Sequence, residues 1–242
     1  MKKPDVLLSW PAYIDFPASR TLLTEYRHLF NKLIICFTTI PTTKEVGMDF
    51  RGFIKNWGPS ATYLESYPQG KDDWRHHAIT KALQESTGKW ILFLEQDFIF
   101  GPQFIEKLLT ENEFEVMGFK EGRYHPACLL VKKEALDRTD RNFAVTTDVS
   151  DHFGSLSKQL ENVAKCGAFE DIGINQQEGQ WFHYAGTTHN YYLCIKDKYE
   201  NLHQPRLFAI YNSLAIKAPV LQHDSFLSLA KTIEHRLKGV NQ

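Results

Sequence analysis

Short apolar runs alternate with amphipathic segments of helical length along the first part of the chain. Four runs have the length and composition of buried strands: Val6–Trp10, Leu33–Thr39, Ala61–Leu64 and Trp90–Leu94. Ala18–Asn31 lies between the first two runs and Arg75–Ser86 between the last two, each with apolar residues at helical spacing. Strands that alternate with helices form βαβ units. The pattern therefore predicts an α/β fold whose sheet is mixed, mostly parallel and flanked by helices.

The later part of the chain continues this pattern less regularly. The expected elements are a helix at Gln103–Thr110, strands at Phe114–Phe119 and Ala127–Val131, and helices at Asp151–Lys165 and Ser225–Leu237. Gly88 is expected to cap the Arg75–Ser86 helix, and Gly167 to end the Asp151–Lys165 helix. No repeat or low-complexity linker divides the sequence, so residues 1–242 are expected to form a single domain.

Composition narrows the class of protein. A net charge of −1 and a pI near 6.8 give no electrostatic footprint for nucleic acid. The four cysteines form no C-x-x-C pair, so we expect reduced, semi-buried side chains. No apolar run approaches the roughly 18 residues of a membrane span, and that of MKKPDVLLSWP is too short for a signal peptide. We expect a cytoplasmic protein; peripheral contact with a membrane stays open.

Two carboxylates, Glu95 and Asp97, follow the hydrophobic strand Trp90–Leu94. Residues two apart on an extended chain point the same way, so these side chains can converge on one object. In open parallel sheets, ligands bind beyond the carboxyl ends of the strands, where this pair is expected. A hard divalent cation would relieve the repulsion between the two charges. The alternative is a solvated turn, because acid-x-acid triplets are common.

The surrounding run ALQESTGKWILFLEQDFIFGPQFIEKLL, residues 82–109, resembles the core motif of the GT-A glycosyltransferases, in particular of their inverting, family-2-like members. That motif commonly reads G-x-W-I-x-F-L-D-x-D, followed by a proline and a helix. The positions in register are Gly88, Trp90, Ile91, Phe93, Leu94 and Asp97. The resemblance implies a Rossmann-like GT-A fold in which Asp97 helps to hold Mn²⁺ or Mg²⁺ against a diphosphate. Glu95 replaces the usual first Asp, and contact with the ion, a metal-bound water or the donor ribose is expected of it.

The same resemblance implies donor-binding residues elsewhere. Pro11, Tyr13 and Asp15 follow the first strand, where such enzymes hold the nucleobase and ribose. Asp73 and Arg75 lie at the start of the helix that leads to the acidic motif, although Arg75 comes four residues earlier than the usual Arg. For each residue after the first strand, an ordinary proline-aromatic turn is the alternative.

A sugar transfer with inversion needs a carboxylate that takes the proton of the acceptor. The resemblance places this base at the start of a helix, and Asp151 opens the amphipathic segment Asp151–Lys165. A helix N-cap is the structural alternative for Asp151. Asp148 stays a further candidate, as does Asp171, which belongs to the literal Glu-Asp pair of this chain.

One histidine completes the predicted site. Related enzymes often carry a histidine before a loop that closes over the diphosphate, and His183, in the sequence HYAGTTHN, matches this pattern. His189 is the alternative. His76, His77 and His125 have no partner that the sequence identifies, so we expect them on the surface.

These observations together predict a metal-dependent, inverting glycosyltransferase that uses a nucleotide-sugar donor and a glycan, lipid-linked or small-molecule acceptor. Residues 1–100 would form its nucleotide-binding half, 101–195 its acceptor half and 196–242 a helical tail. Two alternatives are a non-catalytic nucleotide- or carbohydrate-binding relative and a sugar-phosphate nucleotidyltransferase. The second is disfavoured because Ser-Trp-Pro-Ala-Tyr stands where those enzymes carry a Gly-rich loop.

Overall fold

The structure is a computed structural model of the 242-residue chain. The residues that it describes are 1–11, 23–38, 54–55, 57–66, 74–95, 98–111, 113–120, 122–143, 153–175 and 180–183. The predicted helix Ser225–Leu237 and the tail from residue 196 lie outside this part of the chain.

The predicted parallel strands form one half of the main sheet. They are β1 (Asp5–Pro11), β2 (Lys32–Thr38), β3 (Ala61–Ser66) and β4 (Trp90–Leu94). Their order is β3-β2-β1-β4, and each neighbouring pair is parallel. All four strands therefore end at the same edge of the sheet, as the alternation of strands and helices predicted.

The other half of the sheet contains the strand that runs the opposite way. β6 (Val116–Lys120), β7 (Tyr124–Lys132) and β8 (Cys166–Ala168) complete the seven-stranded order β3-β2-β1-β4-β7-β6-β8. β7 is antiparallel to both β4 and β6, whereas β8 is parallel to β6. The sheet is thus mixed and mostly parallel, which confirms the predicted fold class.

A second, two-stranded sheet lies beyond the end of β4. It pairs β5 (Phe98–Phe100) with β9 (Trp181–His183) in antiparallel register, with Phe98 opposite His183. The sequence analysis predicted neither strand, because three residues are too short for a recognisable period.

Helices cover both faces of the main sheet. They are α1 (Trp74–Gln84), α2 (Pro102–Thr110), α3 (Lys133–Leu136) and α4 (Gly154–Val163). Side chains of β4 alternate between two apolar cores: Leu92 and Leu94 belong to the core that includes α2, and Ile91 and Phe93 to the core that includes α1 and α4. Burial on both faces explains why β4 is a continuous apolar run.

Two predicted helices differ from the observed ones. Of Ala18–Asn31, residues 23–25 are helical and a 3₁₀ helix, Arg27–Leu29, follows; the part before residue 23 lies outside the described residues. The predicted helix Asp151–Lys165 is shorter and ends at Val163, because Ala164 adopts an extended conformation. Gly167 therefore does not end it. Gly167 lies in β8, where an added Cβ would come within 2.9 Å of Met117 and Phe114.

The amino end of β1 carries a buried carboxylate, that of Asp5. It accepts hydrogen bonds from Asn31 Nδ2 at 2.6 Å, Ser86 Oγ at 2.8 Å, Thr87 N at 2.9 Å and Gly88 N at 2.7 Å. An added Cβ on Gly88 would come within 2.8 Å of this carboxyl group. Gly88 is thus required for the close approach of two segments, and the expectation that it caps the preceding helix was wrong: α1 ends at Gln84.

Across the described part of the chain, no helix combines the length and the apolar character that a membrane span needs.

Candidate functional site

Glu95 lies where the parallel strands end, directly after β4. Its N–H donates to the carbonyl of Ala127 in β7 at 2.8 Å, and its carbonyl accepts from the N–H of Phe98 at 3.1 Å. Both backbone groups of Glu95 are therefore held by neighbouring elements. The side chain starts from a fixed point at the carboxyl edge of the sheet, which is where ligands of open α/β sheets bind.

His183 reaches Glu95 through the small sheet. Because β9 pairs with β5 and places His183 opposite Phe98, the histidine comes beside the residues that follow β4. His183 Nε2 lies 3.4 Å from Glu95 Oε2, with the two side chains 7% and 19% exposed, respectively. The structure thus brings together two of the predicted site residues, which are 88 positions apart in sequence (183 − 95).

His125 is a third member of the cluster. β7 is antiparallel to β4, with Leu94 opposite Cys128, so the beginning of β7 meets the end of β4. The His125 ring lies 4.7 Å from the His183 ring, centroid to centroid. One ligand atom each from Glu95, His125 and His183 lies within 4.8 Å of the others. The expectation that His125 is a surface residue was therefore wrong.

An aromatic layer supports these side chains. Phe98 stacks on Trp181 with ring centroids 5.3 Å apart, and Trp181 packs against Phe119 at 4.8 Å. Phe119 in turn contacts the ring of His125 at 5.8 Å. Because Phe98 and Trp181 are almost fully buried, the layer fixes β9 against β5 and limits the movement of both histidines.

The donor set suits a divalent metal ion. Two donors of one ion lie about 3 to 4.3 Å apart when each metal–ligand bond is about 2.1 Å long. The 3.4 Å between His183 and Glu95 falls within this range. Imidazole nitrogen with carboxylate oxygen is compatible with Mn²⁺ and with other first-row transition metals, whereas oxygen alone is typical of Mg²⁺. Glu95 and His183 could therefore hold such an ion.

Among the described residues, no cysteine belongs to this cluster. Cys128 follows Ala127 in β7 and is fully buried, which raises the pKa of its thiol well above the usual value. Burial also raises the pKa of Cys36 to about 12. Both side chains are thus neutral thiols near pH 7. Cys36, Cys128 and Cys166 are free, as the sequence predicted.

Two further predicted site residues are placed by their backbones alone. The backbones of Pro11 and Arg75 belong to β1 and α1, and their side chains lie outside the described part. The predicted residues that lie wholly outside it are Tyr13, Asp15, Asp73, Asp97, Asp148, Asp151 and His189.

Asp171, the alternative base, has a structural partner. Its Oδ2 accepts a hydrogen bond from the N–H of Ala168 at 2.7 Å. Ala168 occupies the N-cap position of the 3₁₀ helix Phe169–Ile172. The carboxylate thus satisfies a backbone donor at the start of that helix, which is a common role for an aspartate in a first helical turn.

Comparison with known proteins gave matches to solved structures. No family model and no curated protein matches the chain. A mannosyltransferase from Pyrobaculum calidifontis in complex with GDP-Man and Mn²⁺ is 13% identical, with a TM-score of 0.49 over 98% of this chain and 76% of that one. A glucosyl-3-phosphoglycerate synthase from Mycobacterium tuberculosis, with Mn²⁺ and UDP-Glc, is 14% identical, with a TM-score of 0.42 over 72% and 66% of the two chains.

A third similar structure is the inositol-1-phosphate CTP transferase from T. maritima, 10% identical, with a TM-score of 0.45 over 70% of this chain and 86% of that one. Glycosyltransferases are thus among the solved structures that are similar to this chain. All these scores lie below 0.5. The similarity to these structures therefore concerns the fold alone.

Proposed function

We propose that this protein is a metal-dependent GT-A-type glycosyltransferase that moves a sugar from a nucleotide-sugar donor to an acceptor with inversion. The observation that carries the proposal is the 3.4 Å approach of His183 Nε2 to Glu95 Oε2 at the carboxyl edge of the sheet. A carboxylate from the acidic motif and a histidine from the predicted downstream position meet where an α/β protein binds its ligand.

Glu95, Asp97 and His183 would together hold Mn²⁺ or Mg²⁺. When bound, such an ion offsets the negative charge of the departing diphosphate. Glu95 is suited to this part because its backbone is fixed from both sides, by Ala127 and by Phe98. A site with two carboxylates and one neutral imidazole also balances the charge of a divalent cation.

The topology supports the proposed donor-binding residues. β1 runs parallel to β4 and next to it, so the residues after β1 (Tyr13 and Asp15 among them) follow a strand that ends at the same edge as β4. α1 follows β3, which also ends there, and Arg75 is the second residue of α1. Nucleobase, ribose and diphosphate would thus lie along one edge of the sheet.

Asp151 is the proposed base. It would take the proton of the acceptor hydroxyl while the oxygen attacks the anomeric carbon and the bond from that carbon to the diphosphate breaks. α4 leads into β8, which is parallel to β6 and therefore starts at the edge opposite the site. The first residues of α4 consequently lie toward the site edge, and Asp151 precedes them by three positions (154 − 151). The bond from Ala168 to Asp171 makes Asp171 the weaker candidate.

The test is a calorimetric titration with UDP, GDP, CDP and dTDP, each with Mn²⁺ and with EDTA. Binding of one nucleotide only in the presence of the metal is expected, and it would also identify the class of donor. Turnover or hydrolysis of the matching nucleotide sugar would then separate an enzyme from a non-catalytic binding relative. The same titration is repeated with the corresponding nucleoside triphosphates, and preference for a triphosphate over every diphosphate would favour a nucleotidyltransferase.

Asp97→Ala gives the sharpest single change. It should abolish metal-dependent nucleotide binding and leave the thermal unfolding of the protein unchanged, because the residue follows the buried strand and is not part of it. Asp137→Ala is a matched control, since Asp137 is exposed and lies after α3. An Asp97→Ala protein with the affinity of the unmodified protein would contradict the assignment.

A further inference from the structure

The two histidines beside Glu95 are held in different ways. His183 Nε2 faces the Glu95 carboxylate at 3.4 Å. His125 uses its Nδ1 to accept a hydrogen bond from the N–H of Ala127 at 3.1 Å. One nitrogen of His125 is thus already engaged with the backbone of its own strand, and one ligand atom of its ring lies within 4.8 Å of those of Glu95 and His183.

The backbone of Ala127 binds both His125 and Glu95. Ala127 donates its N–H to His125 Nδ1, and its carbonyl accepts the N–H of Glu95 at 2.8 Å. The orientation of the His125 ring and the position of Glu95 therefore depend on the same short piece of β7. Pro126, between His125 and Ala127, restricts His125 to an extended backbone conformation, which further limits the ring.

This hydrogen bond determines which nitrogen of a neutral His125 carries the proton. An acceptor nitrogen needs its lone pair, so Nδ1 is unprotonated and Nε2 bears the hydrogen. Ligation of a metal through Nδ1 would compete with Ala127 for that lone pair. Ligation through Nε2 would require a proton on Nδ1, which would then oppose the N–H of Ala127. In either case the ring would have to give up its bond to the backbone before it could bind a metal ion.

We propose that His125 is a positioning residue and not a metal ligand: its Nε2–H donates a hydrogen bond to the Glu95 carboxylate and orients that carboxylate toward the ion. The inference rests on the proposed function for the presence of the ion. It divides the cluster into one imidazole ligand, His183, and one imidazole donor, His125. Outer hydrogen-bond partners of this kind typically raise metal affinity by about 10- to 100-fold.

The first measurement needs no metal. Nitrogen-15 NMR of the histidine-labelled, metal-free protein reports which ring nitrogen carries the proton, and the His125→Ala variant identifies the signal. We expect the tautomer with a proton on Nε2 and none on Nδ1. A proton on Nδ1 would overturn the inference, whatever the outcome of the nucleotide titrations.

The second measurement counts the imidazoles on bound Mn²⁺ by electron spin-echo spectroscopy. One coordinated imidazole is expected; it should persist in His125→Ala and His125→Gln and disappear in His183→Gln. His125→Ala should lower Mn²⁺ affinity by about 10- to 100-fold. His125→Gln should recover most of that loss, because its amide N–H can still donate. His28→Ala, at an exposed position in the first 3₁₀ helix, is the control.

The outcomes distinguish the role of His125 from the proposed function of the protein. Two imidazoles on the ion, or a His125→Gln variant as weak as His125→Ala, would overturn the positioning role and leave the proposed function intact. An unmodified protein that binds no divalent ion would overturn the proposed function and, with it, the role given to His125. Unchanged Mn²⁺ affinity in His125→Ala would also count against that role.

Discussion

Asp5 and Glu95 are two carboxylates at opposite edges of the same pair of parallel strands, β1 and β4. Asp5 stands at the amino end of β1 and receives hydrogen bonds from the residues that lead into β4. Glu95 stands at the carboxyl end of β4 and faces His183 and His125. Asp5 therefore binds the residues that precede β4, and Glu95 directly follows β4.

The difference between them lies in their partners. Asp5 is fully buried and meets N–H and O–H donors, all supplied by the protein. Its lone pairs are occupied, so it has no capacity left for a ligand. Glu95 is partly exposed and meets imidazoles, which can themselves bind a metal ion. The chemistry of the neighbours, more than the acid itself, distinguishes the structural carboxylate of Asp5 from the candidate metal ligand Glu95.

The largest expected effect is on the free energy of unfolding, when the Asp5 carboxylate is removed. Asp5→Ala would leave several buried donors without an acceptor, and we expect a loss of about 3–5 kcal/mol in the free energy of unfolding, measured by urea denaturation. The control is Asp137→Ala, which removes an exposed pair with Arg141 and should cost less than about 1 kcal/mol. Equal losses in the two variants would show that the hydrogen bonds of Asp5 stabilise the protein no more than an exposed ion pair does.

Removal of the Glu95 charge should instead weaken metal binding strongly and change stability little. Glu95→Gln removes a charged ligand and should weaken Mn²⁺ binding by about 100-fold or more, which corresponds to about 2.7 kcal/mol. The free energy of unfolding should change by less than about 1 kcal/mol, because the side chain is partly exposed and packs in no apolar core. A variant that loses stability but keeps its metal affinity would place Glu95 in the same class as Asp5.

The smallest effect on the free energy of unfolding is expected for a third carboxylate, that of Glu115. It accepts a hydrogen bond from Arg138 Nη2 at 2.9 Å, which with the backbone N–H of Lys165 and the charge of Lys132 holds its pKa below the usual value. A lowered pKa in the folded state stabilises the protein above the unfolded pKa, and this stabilisation is lost as the pH falls through the folded pKa. At pH 7 we expect Glu115→Gln to cost about 0.5–1 kcal/mol.

The same measurement at low pH provides the control. Urea unfolding of Glu115→Gln and of the unmodified protein should give closely similar free energies at a pH below the lowered pKa of folded Glu115, where the carboxyl group is protonated in both folded and unfolded chains. A difference that persisted unchanged at that pH would mean that the glutamate acts through packing and not through its charge.

The strands of the parallel half could be predicted because each is a continuous apolar run. Trp90–Leu94 was predicted with the observed bounds, since burial on both faces removes polar residues from the strand and turn residues mark its ends. Glu95 could be chosen as a site residue because the motif around β4 has a specific pattern, and His183 because the sequence HYAGTTHN matches a second pattern. Their roles as ligands stay predictions.

Other features depend on contacts between segments that are far apart in sequence, and a local sequence pattern does not predict such contacts. His125 reaches the site because β7 is antiparallel to β4, and the direction of β7 cannot be read from its own residues. Gly88 and Gly167 were both assigned to helix ends, whereas each lies where another segment comes too close for a Cβ. Asp5 carried one usable signal, a charged residue directly before the apolar run Val6-Leu7-Leu8.

The position of β9 couples occupancy of the site to local stability. β9 pairs with β5 and with no described strand of the seven-stranded sheet, and it contacts that sheet through the rings of Trp181 against Phe119 and of His183 against His125. A ligand that contacts both Glu95 and His183 would join the exit of β4 to β9 and act as a removable cross-link. At a concentration about 100 times its dissociation constant, it would add about 2.7 kcal/mol to the cost of detaching this strand. The free energy of ligand binding would then also contribute to the free energy that holds β9 in place.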